Sequence, residues 1–271
     1  MDIGDDDIDH LLLKIKDQYG YDFTNYARAS LLRRIIRFIR IHNLPDITEL
    51  EKAVLNDENF FEVFVQELTV TVTEMFRDPS FYKAIREKVI PALGTYPHLR
   101  IWDAGCSTGE EVYSLSILLK EEELYDRSII YATDINQKVL MQAKEGIYDL
   151  SQMQEYTTNY INAGGKRAFS DYYYAKYKRA IFDASLRKNV IFSAHNLATD
   201  SSFNEFNLIV CRNVLIYFNK ELQRRVIELF LDSLTMFGYL ALGAKETLAL
   251  TGLANHFETV DKNEKIYRRI K

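Results

Sequence analysis

Residues 100–115 read RIWDAGCSTGEEVYSL. A short apolar run, Ile101-Trp102, leads into Gly105 and Gly109, and an amphipathic pattern starts at Glu110. This is the order of a strand, a glycine-containing turn and a helix N-terminus. Such a turn lets the backbone approach a ligand closely and aims free N–H groups at it. It predicts a nucleotide-like cofactor at the carboxyl end of a first parallel strand. The plainer alternative is a tight turn that binds nothing. Gly105 and Gly109 do not make the G-x-G-x-x-G of a dinucleotide site, which disfavours a nicotinamide oxidoreductase.

Beyond this stretch, strand and helix patterns alternate. Strands are expected at 100–104, 128–133, 190–194, 206–211, 239–243, 256–260 and 266–269, and helices at 110–122, 137–144, 221–234 and 246–254. That rhythm predicts a doubly wound α/β fold, a mostly parallel sheet with helices on both faces. The last two strands are separated by a gap of hairpin length, so the final strand should run antiparallel to its neighbour.

Residues 8–66 have helical spacing and few strand signals. Ile8, Leu11, Leu12 and Ile15 fit one helix. Leu31, Leu32, Ile35, Ile36 and Ile39 fit a second. Leu50, Val54, Phe60, Phe61, Phe64 and Val65 fit one or two more. We therefore expect an all-helical N-terminal domain over 1–72, and a sheet domain over 73–271. The second helix carries Arg28, Arg33, Arg34, Arg37 and Arg40, with no acidic residue between Phe23 and Pro45. It reads either as a solvated face or as a docking surface for an acidic partner.

The segment at about 148–189 breaks the alternation. It is too long for an ordinary connection between sheet elements, and reads as an inserted subdomain. It is rich in tyrosine, with Tyr156, Tyr160, Tyr172, Tyr173, Tyr174 and Tyr177. These fit either a cover on the sheet edge or a recognition surface.

Composition narrows the function. The chain has 271 residues, 47% of them apolar, which is enough for one large or two modest domains. Its net charge of −5 disfavours a nucleic-acid binder. Two cysteines, Cys106 and Cys211, give neither a disulfide framework nor metal-ligand spacing and suit a reducing cytoplasm. The acidic start MDIGDDDIDH lacks the apolar core of a signal peptide. No apolar run reaches the roughly 18 residues of a membrane span.

Several polar residues collect where an open sheet gathers its ligand contacts. Asp134 ends the second strand, where a carboxylate accepts hydrogen bonds from ribose hydroxyls; its alternative role is as an N-cap for the next helix. Asn196-Leu197 follows the third strand, and Arg212-Asn213 the fourth, with Tyr217 shortly after. Arg212 reads equally as a buried ion pair. Thr71, Thr73 and Arg77 lie at the seam between the helical region and the sheet, where they either close over a ligand or cap a helix start.

Taken together, LTVTVTEMFRD, IWDAGCSTGEEVYSL, ATDIN, HNLATD and CRNVLIYFN resemble the CheR family of chemotaxis-type protein-glutamate methyltransferases. The resemblance runs from about Leu68 to the C-terminus, and the basic helical region before it is similar to the family's N-terminal domain. It implies a SAM-methyltransferase sheet ending in an antiparallel hairpin. It also implies transfer of methyl groups from S-adenosylmethionine (SAM) to receptor glutamates, leaving S-adenosylhomocysteine, without a metal.

The site roles that follow are implied by the resemblance. Thr73 and Arg77 contact the methionine end of the cofactor and the active-site mouth, and Thr71 stands where the family often has Asn. Gly105 shapes the cofactor turn. Glu110 or Glu111 holds the cofactor amino group, and Asp134 takes the ribose. Asn196, Leu197, Arg212 and Asn213 line the pocket. Tyr217 and Arg77 are the catalytic candidates, as positioning groups rather than proton shuttles.

The partner implied is a glutamate-rich helical region of a chemoreceptor or related signalling protein, toward which Arg33, Arg34, Arg37 and Arg40 would steer. The insert resembles a long variant of the family's small β subdomain, which in some members grips a receptor's tethering peptide. A cytoplasmic monomer is expected, with no nucleic acid bound and no insertion into a membrane. The alternative is a SAM-binding scaffold or sensor without turnover.

Overall fold

The computed structural model describes residues 3–69, 73–249 and 251–271. Four helices come first: α1 (Asp5–Tyr19), α2 (Arg28–Ile41), α3 (Ile47–Asn56) and α4 (Glu58–Leu68). Asp46 caps α3 and Asp57 caps α4, each side chain accepting main-chain amides of the first turn. The apolar stripes meet in one core, with Ile8, Leu11, Ile15, Leu31, Ile35, Ile39, Leu50, Val54 and Phe64 buried.

A second run holds α5 (Pro79–Ala84) and α6 (Ile90–Leu93), joined by a π-helical turn at Ile85–Val89. Pro91 accounts for the wide turn: it has no N–H for the carbonyl four residues back, and its ring would collide with that carbonyl.

The sheet begins with β1 (Leu99–Ala104), followed by α7 (Glu110–Glu121), β2 (Ser128–Asp134) and α8 (Gln137–Glu145). Next comes the insert: β3 (Ile147–Asp149), α9 (Met153–Asn162), β4 (Tyr173–Lys176) and β5 (Arg179–Phe182). The chain then returns through β6 (Val190–Ala194), β7 (Phe206–Cys211), α10 (Lys220–Ser233), β8 (Leu234–Leu242), β9 (Phe257–Asp261) and β10 (Ile266–Arg269). Seven strands pair in the order β6-β2-β1-β7-β8-β10-β9. The first five are parallel, and β10 runs antiparallel to both β8 and β9. The expected doubly wound sheet with a terminal hairpin is therefore present.

Two packed layers flank the sheet. On one side Ile101, Ile130 and Val210 pack with helix residues such as Tyr82, Val112 and Leu115. On the other, Trp102, Ile209 and Leu240 pack with Val226, Ile227 and Phe230 of α10. Trp102 is fully buried, and its indole N–H donates to Thr133 Oγ1 at 2.8 Å.

Two expectations need correction. The segment 246–254 is not a helix: its described residues form turns, ending in a 3-10 turn at Ala254–His256. The Glu246 side chain reaches back to main-chain amides of another loop, and Gly252 takes a left-handed conformation that ends any helical run. In the insert, most of the tyrosines are structural. Tyr156, Tyr160 and Tyr172 are buried and Tyr173 is half-buried, while Tyr174 (57%) and Tyr177 (89%) are exposed. Glu121 of α7 accepts the hydroxyls of Tyr160 and Tyr172, tying the insert to the core. β3, β5 and β4 form a small antiparallel sheet of their own.

Among the described residues no helix is long and apolar enough to cross a membrane.

Candidate functional site

β1, β2, β6 and β7 all release their loops at one end of the sheet, and a cavity opens there. It has a volume of about 1100 Å3, its open mouth included. The lining includes Thr73, Arg77, Gly105, Glu111, Asp134, Asn196, Leu197, Arg212, Asn213 and Tyr217. Sequence positions spread from 73 to 217 thus meet because parallel strands place all their carboxyl ends together. Tyr26, Leu68 and Thr69 from the helical region complete the wall. Thr71 lies outside the described residues.

The floor is the turn after β1. Gly105 sits at φ 86°, and a Cβ there would lie 2.5 Å from Val214 Cγ2. Only glycine fits both the conformation and the space. Asp134, at the end of β2, accepts the Ser107 amide at 3.0 Å and the Asn136 amide at 2.9 Å. The cap of α8 is Asn136, whose Oδ1 accepts the Lys138 and Val139 amides. Asp134 is therefore not the N-cap, and its carboxylate faces the cavity. Burial pushes its carboxyl above the usual range, partly opposed by the amides it accepts.

The two neighbouring glutamates of α7 separate cleanly. Glu111 lines the cavity. Its Oε2 accepts Arg212 at 2.7 Å and the Tyr82 hydroxyl at 3.3 Å, while Oε1 has no hydrogen bond among the described residues. Glu110 points into the interior, is 4% exposed, and accepts the Thr108 hydroxyl at 2.6 Å. Burial pushes its carboxyl up to about 7. Of the two, only Glu111 offers an acceptor to a ligand.

Arg212 combines both of its sequence readings. It lines the cavity and is also clamped, donating to Glu111 and Asp78 at 2.7 Å each and to the Arg77 carbonyl at 3.1 Å. Its guanidinium lies 4.1 Å from the Phe81 ring centre. Burial by itself would lower its pKa, but the two carboxylates hold it above the ordinary value.

At the mouth, the helical region is joined to the loop that carries Tyr217. The Ala27 amide donates to the Tyr217 carbonyl at 2.7 Å, and the Asn219 amide to the Asn25 carbonyl at 2.9 Å. The Tyr26 and Phe218 rings meet edge to face. The arginines of α2 then divide. Arg28 pairs with Asp5 and Asp9, and Arg37 with Glu67. Arg34 turns inward, donating to the Glu67 and Leu68 carbonyls and lying over the Tyr217 ring. Arg33 and Arg40 are exposed and have no ion-pair partner among the described residues.

Sequence reasoning did not name several lining residues, among them Tyr26, Leu68, Thr69 and His195, and it placed Glu246, which accepts the Asn213 amide, in an expected helix. Among the described residues no group of three His, Cys, Asp or Glu side chains could hold a metal ion.

The cavity's donors and acceptors fit a nucleoside-type cofactor carrying an amino group: a carboxylate at the end of β2 and an open oxygen on Glu111. Two family descriptions match the chain: "CheR methyltransferase, SAM binding domain" over residues 71–266 and "CheR methyltransferase, all-alpha domain" over 6–69. The chain is 50% identical to "Putative methyltransferase Cher3" of Pseudomonas putida, over 93% of this chain and 92% of that one. It is 33% identical to "Chemotaxis protein methyltransferase" of Listeria innocua, covering 86% and 87% of the two chains. It is also 33% identical to "Chemotaxis protein methyltransferase 1" of Pseudomonas aeruginosa, covering 91% and 90%.

Proposed function

The chain belongs to the CheR methyltransferase family, and from that premise we propose that it forms methyl esters on glutamate side chains of a chemoreceptor or a related signalling protein, using SAM. The observation that carries the reading is one cavity that joins two kinds of wall. Glu111 and Asp134 line it on the sheet side, and Arg77 and Tyr217 stand with them beside an arginine-bearing helix.

The chemistry asks little of the protein in acid–base terms. A glutamate side chain ionises near pH 4.3, so the acceptor is already an anion at neutral pH. When bound, SAM supplies a methyl group on a sulfonium that departs as a neutral thioether. The chain's own residues hold, align and exclude water. Asp134 holds the ribose hydroxyls, and Glu111 Oε1 the amino group. Asn196, Leu197 and Asn213 line the remainder, with Arg212 fixed behind Glu111. Thr73 and Arg77 contact the methionine end, and Thr71, standing where the family often has Asn, leaves one cofactor contact weaker or replaced. Tyr217 stands beside the reacting centre and orients the incoming carboxylate.

Residues 73–271 carry the transfer, and 1–72 the docking. Arg33 and Arg40, with Arg37, attract a glutamate-rich helix, and Arg34 meets it at the mouth.

The test is incubation with methyl-labelled SAM and a receptor fragment. Alkali-labile label mapped to glutamates is the expected result. Binding of SAM without any ester formed on a receptor fragment would overturn the reading.

A further inference from the structure

Glu246 does not line the cavity, yet three of the four amides that saturate its carboxylate belong to the loop that does. It is 4% exposed. Oε1 accepts the amides of Val214 at 2.9 Å and Leu215 at 2.7 Å. Oε2 accepts those of Gly243 at 2.6 Å and Asn213 at 3.2 Å. These four bonds use the acceptor positions of an ionised carboxylate. All four donors are main-chain amides, and among the described residues no cation is paired with it.

The donors are arranged for an anion. Asn213 is left-handed at φ 61°, and Val214 follows in a right-handed conformation. Successive amides in that alternation converge on one point and form an anion nest. Asn adopts the left-handed region more readily than other non-glycine residues, and the carboxylate accepts the amides that this conformation brings together.

Neighbouring strands make this possible. β7 and β8 end in register, with Cys211 beside Leu242, so the loops that follow leave the sheet side by side. The turn 243–246 closes with the Glu246 amide donating to the Gly243 carbonyl at 2.9 Å. A Cβ on Gly243 would lie 2.8 Å from both the Asn213 nitrogen and Glu246 Oε2. The close approach of the two loops thus depends on glycine there.

We infer that Glu246 is a positioning residue for the transfer site: by filling the nest it fixes the 212–217 loop, and so the presentation of Arg212, Asn213 and Tyr217 to the cavity. The inference rests on the methyl-transfer reading above. Glu246→Gln tests it, because the amide keeps the shape but turns an N–H group toward main-chain donors. Gly243→Ala tests it independently, because it leaves the carboxylate intact and obstructs the approach.

The measurements are kcat and KM for methyl transfer to a receptor fragment, and amide hydrogen exchange across 212–217, both per folded molecule. The expected result for Glu246→Gln is a fall in kcat of about tenfold or more, the scale of a lost charged hydrogen bond. KM for the receptor fragment should change little, and exchange at 213–215 should become faster. Glu246→Asp, which keeps the charge, should recover part of the kcat, and Gly243→Ala should shift both readouts in the same direction as Gln. Unchanged kcat and exchange in folded Glu246→Gln would overturn the inference. If that variant does not fold, unchanged values in Gly243→Ala would do so. Wild-type protein that forms no ester would overturn the methyl-transfer reading instead, and the exchange data alone would then decide whether Glu246 fixes the loop.

Discussion

The guanidinium carbon of Arg34 lies 5.2 Å from the centre of the Tyr217 ring. One residue belongs to the helical N-terminal region, and the other to the loop after β7. The contact packs the basic helix against a residue that lines the cavity, so the helix backs the site wall at Tyr217. Arg34 is held there by two carbonyls at the end of α4, at 3.2 and 3.1 Å.

Arg34→Ala should therefore act differently from changes at the exposed arginines. Cation–π contacts contribute roughly 0.5–2 kcal/mol, so a several-fold loss of kcat is expected. Arg40→Ala should leave kcat nearly unchanged. Steady-state kinetics on both variants checks this, and equal effects would remove the special role of Arg34.

Charge reversal at Arg33 and Arg40 should raise the KM for an acidic receptor fragment and flatten its dependence on salt, since steering by exposed charges is screened within about 10 Å at 0.1 M. An unchanged KM and salt slope would exclude docking on this face.

Tyr217→Phe should lower turnover while leaving SAM affinity nearly intact, because the hydroxyl orients a carboxylate and shuttles no proton. Turnover equal to wild type would take Tyr217 out of the mechanism.

Asp134→Ala should weaken the binding of SAM and S-adenosylhomocysteine by tenfold or more, about 1.4 kcal/mol, as measured by calorimetric titration. Its carboxylate also holds the Ser107 and Asn136 amides, so the turn after β1 should loosen at the same time. Equal affinity in the two proteins would mean that the ribose is held elsewhere.

Glu110 gives a pH signature in stability. Burial raises its carboxyl to about 7 in the folded chain, while the unfolded chain ionises near 4.3. Between those values the unfolded state has released a proton that the folded state keeps. Stability from this group is therefore intact below about pH 4.3 and falls as pH rises toward 7. Glu110→Gln keeps an acceptor for Thr108 and removes the charge. It should stabilise the protein at pH 8 by on the order of 3–4 kcal/mol, with the gain vanishing near pH 4. Melting curves across pH check this, and a gain independent of pH would show that the titration lies elsewhere.

Much of the fold was legible because its signals are local. The strand, turn and helix around Gly105, the alternation that followed, and the apolar spacing of α1 to α4 each depend on neighbours within a few residues. The candidate site was legible for a topological reason. Asp134, Asn196 and Arg212 all follow parallel strands, so naming the strand ends also names the residues that meet there. The segment 246–254 was misread for the opposite reason. Its helical pattern was outweighed by a carboxylate whose partners are about thirty residues away in sequence.

By itself, the sequence determined the layered sheet, its hairpin end, the inserted segment and the identity of most cavity residues, because periodicity and turn chemistry act over short range. Only the tertiary structure decided which of two adjacent glutamates faces the cavity, which tyrosines of the insert stay exposed, and which arginine leaves the basic face to lie on Tyr217. Those choices turn on helix phase and on contacts between distant segments, and burial in three dimensions sets both.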